Sequence, residues 1–578
     1  MTSKQRIILN YGLFLLGLVL FLLPLIDGWM LYPLKGFSSG QTRYSALGGI
    51  LPWSDAAGYY HGANTLLDKG FLTEWTLRRP LNAILLAARL FIVNHDFKAA
   101  LILQALLCGS SCLLVAYSIA RRFSSLAAFI AFVILFLFAK IYIPSILSES
   151  LGLSIGCLAF VFLWEAVNTR RLWLFFVAGF MLMLGLNARA GAFFVVPMLM
   201  VWLGFYCRDR SHEQRFHSPI ASLFTLGVLA ASFLNMIFMK LSMLAGQVIA
   251  PHGNFAPTLF GLVSGGKGWH YAYETLKFSG TEADFSKHMY VQSLAIFKQH
   301  PDWLLIGLLK NWAQMFKAPI NLFNYLLGSH QCLALVLLAG LSAVVLSKLF
   351  RLRILYQSAT QAHQHCMMLV TVVMLGMILS AGVIWMDGNA RVFAVTTPFF
   401  AAAVGMLVCL LTTKKTSLHA HLISENTVQT ITWETKFALL WSVILMIASV
   451  LTPLFASHFH PRTLPSVHCL PDQKAMIISN IAKGPYLHLK TKDGRFDKKL
   501  MQYFNAVESN LLKNLEPGNP AQACLGLIYD RITANTYYIV APDTLFSNQR
   551  TSVGVCMALI PGNQHVYQFK TLEAFNES

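Results

Sequence analysis

"SDAAGYYHGANTLLDKGFLTEWTLRRPLNAILLA" runs from Ser54 to Ala87 and sets a carboxylate, Asp55, beside Tyr59, Tyr60 and His61. What precedes it decides the fold. The apolar run Ile7–Ile26 follows Lys4 and Arg6. That run is longer than the core of a signal peptide and no A-x-A cleavage pattern follows it, so it reads as an uncleaved span. Asp55 therefore belongs to the first stretch of chain to emerge from a membrane.

Composition agrees. Of 578 residues, 56% are hydrophobic and 12% charged, and mean hydropathy is +0.57. Repeated apolar runs near membrane length mark a polytopic membrane protein. Beyond the first, spans are expected at Ala99–Ala120, Leu126–Ile143, Leu151–Val167, Leu172–Leu186, Ala192–Tyr206, Ile220–Met239, Cys332–Leu346, Met367–Trp385, Val392–Leu411 and Phe437–Leu454, about eleven in all. The formal charge of +19 lies mainly in short loops and two hydrophilic regions. It is read as topological, and a nucleic-acid partner is not expected.

The loops fix the register. With the N-terminus inside, Arg121 and Arg122, Arg170 and Arg171, Arg208, Arg210 and Arg215, Lys348, Arg351 and Arg353, and Lys414 and Lys415 all fall on the cytoplasmic side. The same register sends outside the loop of about 27–98, the turns holding Glu149, Arg189 and Asp387 with Arg391, the segment of about 240–330, and the tail beyond Ala456. Within 240–330, "DWLLIGLLKNWAQMFKAPINLF" carries Lys310 and Lys317 in an apolar pattern and reads as a helix lying in the interface. The expected fold is thus all-α and polytopic over 1–456, with a small α/β extracytoplasmic domain over 457–578. In that domain Cys469, Cys524 and Cys556 allow one disulfide and one remaining thiol, the pair being left open.

Four charges stand at the outer mouths of separate spans. Asp55 alone reads first as a solvated loop acid. Glu149 in "PSILSESLGLSIG" suits a helix N-terminus, where Ser148 or Ser150 would cap. Arg189 in "GLNARAGAFFVVP" interrupts a nearly continuous apolar stretch, at a cost of roughly 2.5–3.5 kcal/mol on insertion scales. Arg391 in "WMDGNARVFAVTTPFF" repeats the situation, with an Asp387–Arg391 salt bridge as its plainer reading. Two acids with two arginines suit a phosphate-bearing substrate: a carboxylate acts as general base, and guanidinium forks bind phosphate oxygens.

In motif order the chain resembles the integral-membrane C-type glycosyltransferases (GT-C), which include protein O-mannosyltransferases and lipid A aminoarabinose transferases. The resemblance covers roughly Ile7–Leu411. It rests on Asp55, Tyr59, Tyr60, Pro80 and Leu81 in the first loop, on "LSESLGL" with Glu149, on "NARAGAFFVVP" with Arg189, and on "GNARVFAVTTPFFAAAVG". Arg79 stands where those families commonly carry a first proline. The resemblance implies transfer of a sugar from a polyprenyl-phosphate donor to a glycan, lipid or protein acceptor on the non-cytoplasmic face, with inversion. Asp55 would be the base, and Arg189 and Arg391 would bind the donor phosphate, with Arg78 and Arg79 as further candidates. Glu149 would orient the acceptor, hold an arginine, or join Asp55 on a divalent cation (Mg or Mn), the metal remaining unknown. Tyr59, Tyr60, His61, Lys267, Trp269 and His270 would line the substrate cavity, although an interfacial aromatic belt explains the aromatics nearly as well. The expected setting is the bacterial inner membrane, with the C-terminal domain periplasmic.

Other signals are set aside. "GLVSGGKG" (Gly261–Gly268) has phosphate-loop spacing, but Gly268 replaces the Ser or Thr that would hold magnesium. His363, His365 and Cys366, like His419 and His421, have no complementary ligands nearby in sequence, and His458, His460, His468 and Cys469 read as solvated groups before a zinc site. The rival readings are a polyprenyl-linked glycan polymerase, a lipid-linked sugar transporter and a non-catalytic assembly subunit. Neutralising Asp55 separates the first reading from these.

Overall fold

The computed structural model describes residues 3–26, 51–52, 54–206, 219–247, 253, 255–327, 361–412, 432–456, 467–489, 523–546, 552–560 and 566–573. The helices are α1 (Ser3–Ile26), α2 (Asp55–Lys69), α3 (Glu74–Leu77), α4 (Pro80–Ile92), α5 (Phe97–Arg122), α6 (Ser125–Tyr142), α7 (Ser148–Thr169), α8 (Leu172–Ala188) and α9 (Val195–Tyr206). They continue as α10 (Pro219–Leu241), α11 (Ala256–Val263), α12 (His270–Thr275), α13 (Glu282–Gln299), α14 (Pro301–Leu327), α15 (Gln361–Gly388), α16 (Thr397–Thr412) and α17 (Trp433–Ala456). Every expected span falls on one of these helices except Cys332–Leu346, which lies outside the described residues.

Among the described residues six helices, α5, α6, α7, α10, α15 and α17, are long and apolar enough to cross a membrane. This is a multi-pass membrane protein. Shorter apolar helices, including α4, α8, α9 and α16, complete the bundle, so the figure of about eleven full-length spans is not established. Helix α4 lies within the stretch expected to be external loop. Its thirteen residues are too few to span, and it is instead buried against α2 and α17. The segment around Lys310 and Lys317 is helical as expected, within α14.

Local chemistry sets several boundaries. Asp96 caps α5 by accepting the Ala99 N–H (2.9 Å), and Ser124 caps α6 through the Leu126 and Ala127 N–H groups. Helix α2 ends at Gly70, whose φ of +79° is the left-handed conformation of a helix C-terminus. At the centre stands α7, buried from Ser148 to Val167. Small residues let backbone approach it: a Cβ on Gly156 would lie 2.1 Å from the Val395 carbonyl oxygen, so only glycine fits there.

The tail folds as a curled six-stranded sheet made of β1 (Lys474–Ser479), β2 (Tyr486–His488), β3 (Cys524–Asp530), β4 (Asn535–Ala541), β5 (Ser552–Leu559) and β6 (Val566–Glu573), with a short α18 (Asp543–Phe546). The strand order is β1-β5-β6-β4-β3-β2, and β1 meets β3 again at Ile478 and Asp530, which bends the sheet back on itself. Only the β4–β6 pair is parallel among the described strands. Cys469 and Cys556 form a disulfide, leaving Cys524 as the thiol of the domain. That bridge takes Cys469 away from the His468–Cys469 zinc alternative; His458 and His460 lie outside the described residues.

Candidate functional site

The four charges singled out in the sequence meet at one end of the bundle. Asp55 opens α2, immediately after Ser54, whose φ of +52° and ψ of −125° form an unusual conformation for a non-glycine residue, costing about 1–3 kcal/mol. Glu149 lies in the first turn of α7. Arg189 caps the end of α8. Arg391 lies in a five-residue 3₁₀ turn, Asn389–Phe393, between α15 and α16.

Glu149 is 0% exposed, and its Oε1 accepts from Arg391 Nε at 2.6 Å while forming an ion pair with Arg189 Nη2 at 3.2 Å. Arg391 Nη2 reaches Asp55 Oδ2 at 3.3 Å, and the Asp55 side chain is 41% exposed. One guanidinium thus links a buried acid to an accessible one. Glu149 holds both arginines; Ser150 donates to the Tyr142 carbonyl (2.7 Å) rather than capping, and α7 has no side-chain cap. Asp387 accepts the Trp269 N–H (3.0 Å), and Arg391 is paired with Asp55 and Glu149.

A cavity of about 340 Å³ opens over this network. Asp55, Arg78, Arg79, Arg189, Asp387 and Arg391 supply its charged lining, so four cations face two anions, with Glu149 behind them. Arg189 Nε is buried with no hydrogen bond in the structure, a spare donor beside the cavity. Burial pushes Arg78 below the ordinary arginine value, and neighbouring Arg79 acts in the same direction. A group held charged at such cost gains from an anionic ligand.

The aromatic wall consists of Tyr59, Trp75, Trp269 and Tyr273. Tyr59 and Trp75 meet edge to face at 5.0 Å. Trp269 follows Gly268, whose φ of +78° turns the chain so that the Trp269 N–H reaches Asp387. In the same loop the Gly266 and Lys267 N–H groups are already bonded to the Gly261 carbonyl, which agrees with setting the phosphate-loop spacing aside.

Other expected cavity residues lie elsewhere. Tyr60 is buried against Phe97, and His61 faces Tyr529 of the sheet. Lys267 turns back to the Tyr271 hydroxyl (3.0 Å), and exposed His270 lies tilted against Trp269. The Asp55–Glu149 pair does not suit a divalent cation, because the Arg391 guanidinium lies between the carboxylates and bonds both. Trp75 was missed in the sequence; its only signal is an aromatic one residue after Glu74.

The sheet domain grips α2 from outside. Asp68 accepts from Arg531 Nε (2.9 Å) and from the Tyr529 hydroxyl (3.3 Å). Tyr538 donates to the Pro52 carbonyl (2.8 Å), three residues before Asp55. The element carrying the accessible acid is therefore held at both ends by the tail.

Fold and site together define a polytopic membrane protein with an acid-bearing, arginine-lined cavity at one end. No protein-family description matches the chain, and no curated protein matches it. Solved structures similar to the chain include two archaeal ones. The Archaeoglobus fulgidus oligosaccharyltransferase complex with Zn and sulfate gives 14% identity and a TM-score of 0.33 over 76% of this chain and 53% of its own. Archaeal oligosaccharyltransferase AglB from Archaeoglobus fulgidus, in complex with an inhibitory peptide and a dolichol-phosphate, gives 14% identity and a TM-score of 0.30 over 78% of this chain and 56% of its own. The chain thus spans little more than half the length of either.

Proposed function

We propose that the chain is an integral-membrane glycosyltransferase of the GT-C kind, moving a sugar from a polyprenyl-phosphate carrier to an acceptor on the non-cytoplasmic face, with the bacterial inner membrane as its setting. The observation that carries this reading is the bridge from Glu149 through Arg391 to Asp55, beneath a cavity lined by four arginines. The likeness to the oligosaccharyltransferases is too slight to add support.

In the proposed step an acceptor hydroxyl or amine attacks the anomeric carbon, its proton passes to Asp55, and the carbon–oxygen bond to phosphate breaks. The electron pair leaves with the polyprenyl phosphate, which gains one negative charge. The arginines facing the cavity, Arg78, Arg79, Arg189 and Arg391, favour that gain, because preorganised cations stabilise charge as it develops. Glu149 is a positioning residue: it fixes Arg391 and Arg189 without lining the cavity. Trp75, Trp269 and Tyr273 offer flat apolar faces for the sugar.

Binding of a polyprenyl monophosphate to the detergent-purified protein, followed by tryptophan fluorescence, tests the donor site. Arg391→Ala removes a charge-assisted contact worth about 1.5–3 kcal/mol, so affinity falls roughly 10- to 100-fold. Asp55→Asn leaves binding intact. Equal binding of the uncharged polyprenol would overturn the proposal.

A further inference from the structure

The sheet domain carries a second constellation, remote from the cavity in sequence and independent of the proposed transfer. His488 ends β2, Cys524 opens β3, and Asp543 begins α18 directly after β4. The ladder sets them side by side: His488 is paired with Cys524 across β2 and β3, and Cys524 with Ala541 across β3 and β4, two residues before Asp543.

The side chains converge. Cys524 Sγ lies 3.3 Å from His488 Nδ1 and 3.5 Å from Asp543 Oδ1, and the latter two atoms are 3.4 Å apart. Zinc binds thiolate sulfur at about 2.3 Å and imidazole nitrogen or carboxylate oxygen at roughly 2.0–2.2 Å, and tetrahedral angles then put those ligand atoms about 3.3–3.6 Å from one another. The three observed separations form one face of such a tetrahedron. Among the described residues no other group of three such side chains is gathered this closely.

Burial is graded as an ion site requires. Cys524 is fully buried at the floor, while the side chains of His488 and Asp543 are more than half exposed and leave a way in. Behind them Tyr486 stacks on Phe546 at 4.7 Å, giving an apolar backing. The other two cysteines of the domain are bonded to each other, so disulfide formation inside the domain does not claim Cys524. Thiolate with imidazole and carboxylate in a tetrahedral set selects zinc over magnesium or calcium, which take all-oxygen shells.

We infer that His488, Cys524 and Asp543 form a zinc site with three protein ligands and a fourth position open to water. Bound zinc holds the Cys524 sulfur as thiolate and ties β2, β3 and α18 together.

Full-length protein, purified in detergent, is loaded with one equivalent of zinc chloride, desalted, and its metal content measured by mass spectrometry. Wild type retains one zinc per chain; Cys524→Ser and His488→Ala lose it, and Asp543→Asn retains it weakly. Cobalt loading gives wild type a thiolate-to-cobalt charge-transfer band that Cys524→Ser lacks. Intact Cys469–Cys556 linkage and unchanged thermal unfolding of metal-free Cys524→Ser show that its fold survives. Wild type without retained zinc would mean a hydrogen-bonded cluster only. Zinc retained equally by Cys524→Ser and His488→Ala would place the ion elsewhere. Either result overturns the inference.

Discussion

Glu149→Gln removes one charge from the centre of the site while keeping the side chain's size. In the native structure the Glu149 carboxylate is wholly buried and neutralises parts of two guanidinium groups, those of Arg391 at 2.6 Å and Arg189 at 3.2 Å. The amide leaves both cations facing a neutral group, and breaking a buried pair by removing one partner costs about 3–5 kcal/mol. The contrast with Asp55 sharpens the expectation. Its side chain is 41% exposed and makes a single 3.3 Å contact with Arg391; exposed ion pairs contribute about 0–1 kcal/mol. Thermal unfolding of detergent-purified variants should therefore show Glu149→Gln strongly destabilised and Asp55→Asn close to wild type. Adding Arg189→Met to Glu149→Gln removes the surplus cation and should restore part of the loss. A Glu149→Gln protein as stable as wild type, or a double variant less stable than the single one, would refute the view that buried charge compensation holds the site together.

Further expectations concern the scaffold. Gly156→Ala puts a methyl 2.1 Å from the Val395 carbonyl oxygen and should cost about 1–3 kcal/mol by overpacking, lowering both melting temperature and transfer as the Arg391 segment is pushed from α7. Arg531→Ala breaks the 2.9 Å contact to Asp68, removing about 1.5–3 kcal/mol from the grip on α2. Limited proteolysis should then cut the tail faster, and the exchanged pair Asp68→Arg with Arg531→Asp should reverse this. Cys469→Ser opens a link across 87 residues of chain and should destabilise the sheet domain by roughly 2–4 kcal/mol, read as lower unfolding temperature under non-reducing conditions.

The arginines of the site were legible because each interrupts an apolar stretch, and an ionised group at membrane depth needs a reason to be there; the two acids drew notice only through their place at the outer mouths of spans and through the family resemblance. Asp55, Glu149, Arg189 and Arg391 meet in one network. That Glu149 would hold an arginine was one expected role; that it holds both, and that Arg391 also reaches Asp55, was not legible. Residues 149 and 391 are brought together by glycine-permitted packing of Val395 on α7, which has no local sequence signature. Helix α4 was hidden because its thirteen mostly apolar residues fall short of a span. The grip on α2 joins Asp68 to Arg531 across 463 positions, beyond any periodicity. In the tail, adjacent His468 and Cys469 were the visible cluster, and Cys469 is committed to a disulfide. The convergent trio is scattered over separations of 36 and 19 residues, so only the strand register reveals it.

The most direct test of the central claim is mass spectrometry of cell-envelope glycans from source cells lacking this chain and complemented with wild type or Asp55→Asn, matched for membrane expression. The account predicts that a sugar substituent disappears on deletion, that wild type restores it, and that Asp55→Asn leaves it reduced by roughly 10²- to 10⁴-fold, the span associated with general-base catalysis. Full restoration by Asp55→Asn would contradict the assignment of Asp55 as the base, and with it the transfer mechanism built on this cavity.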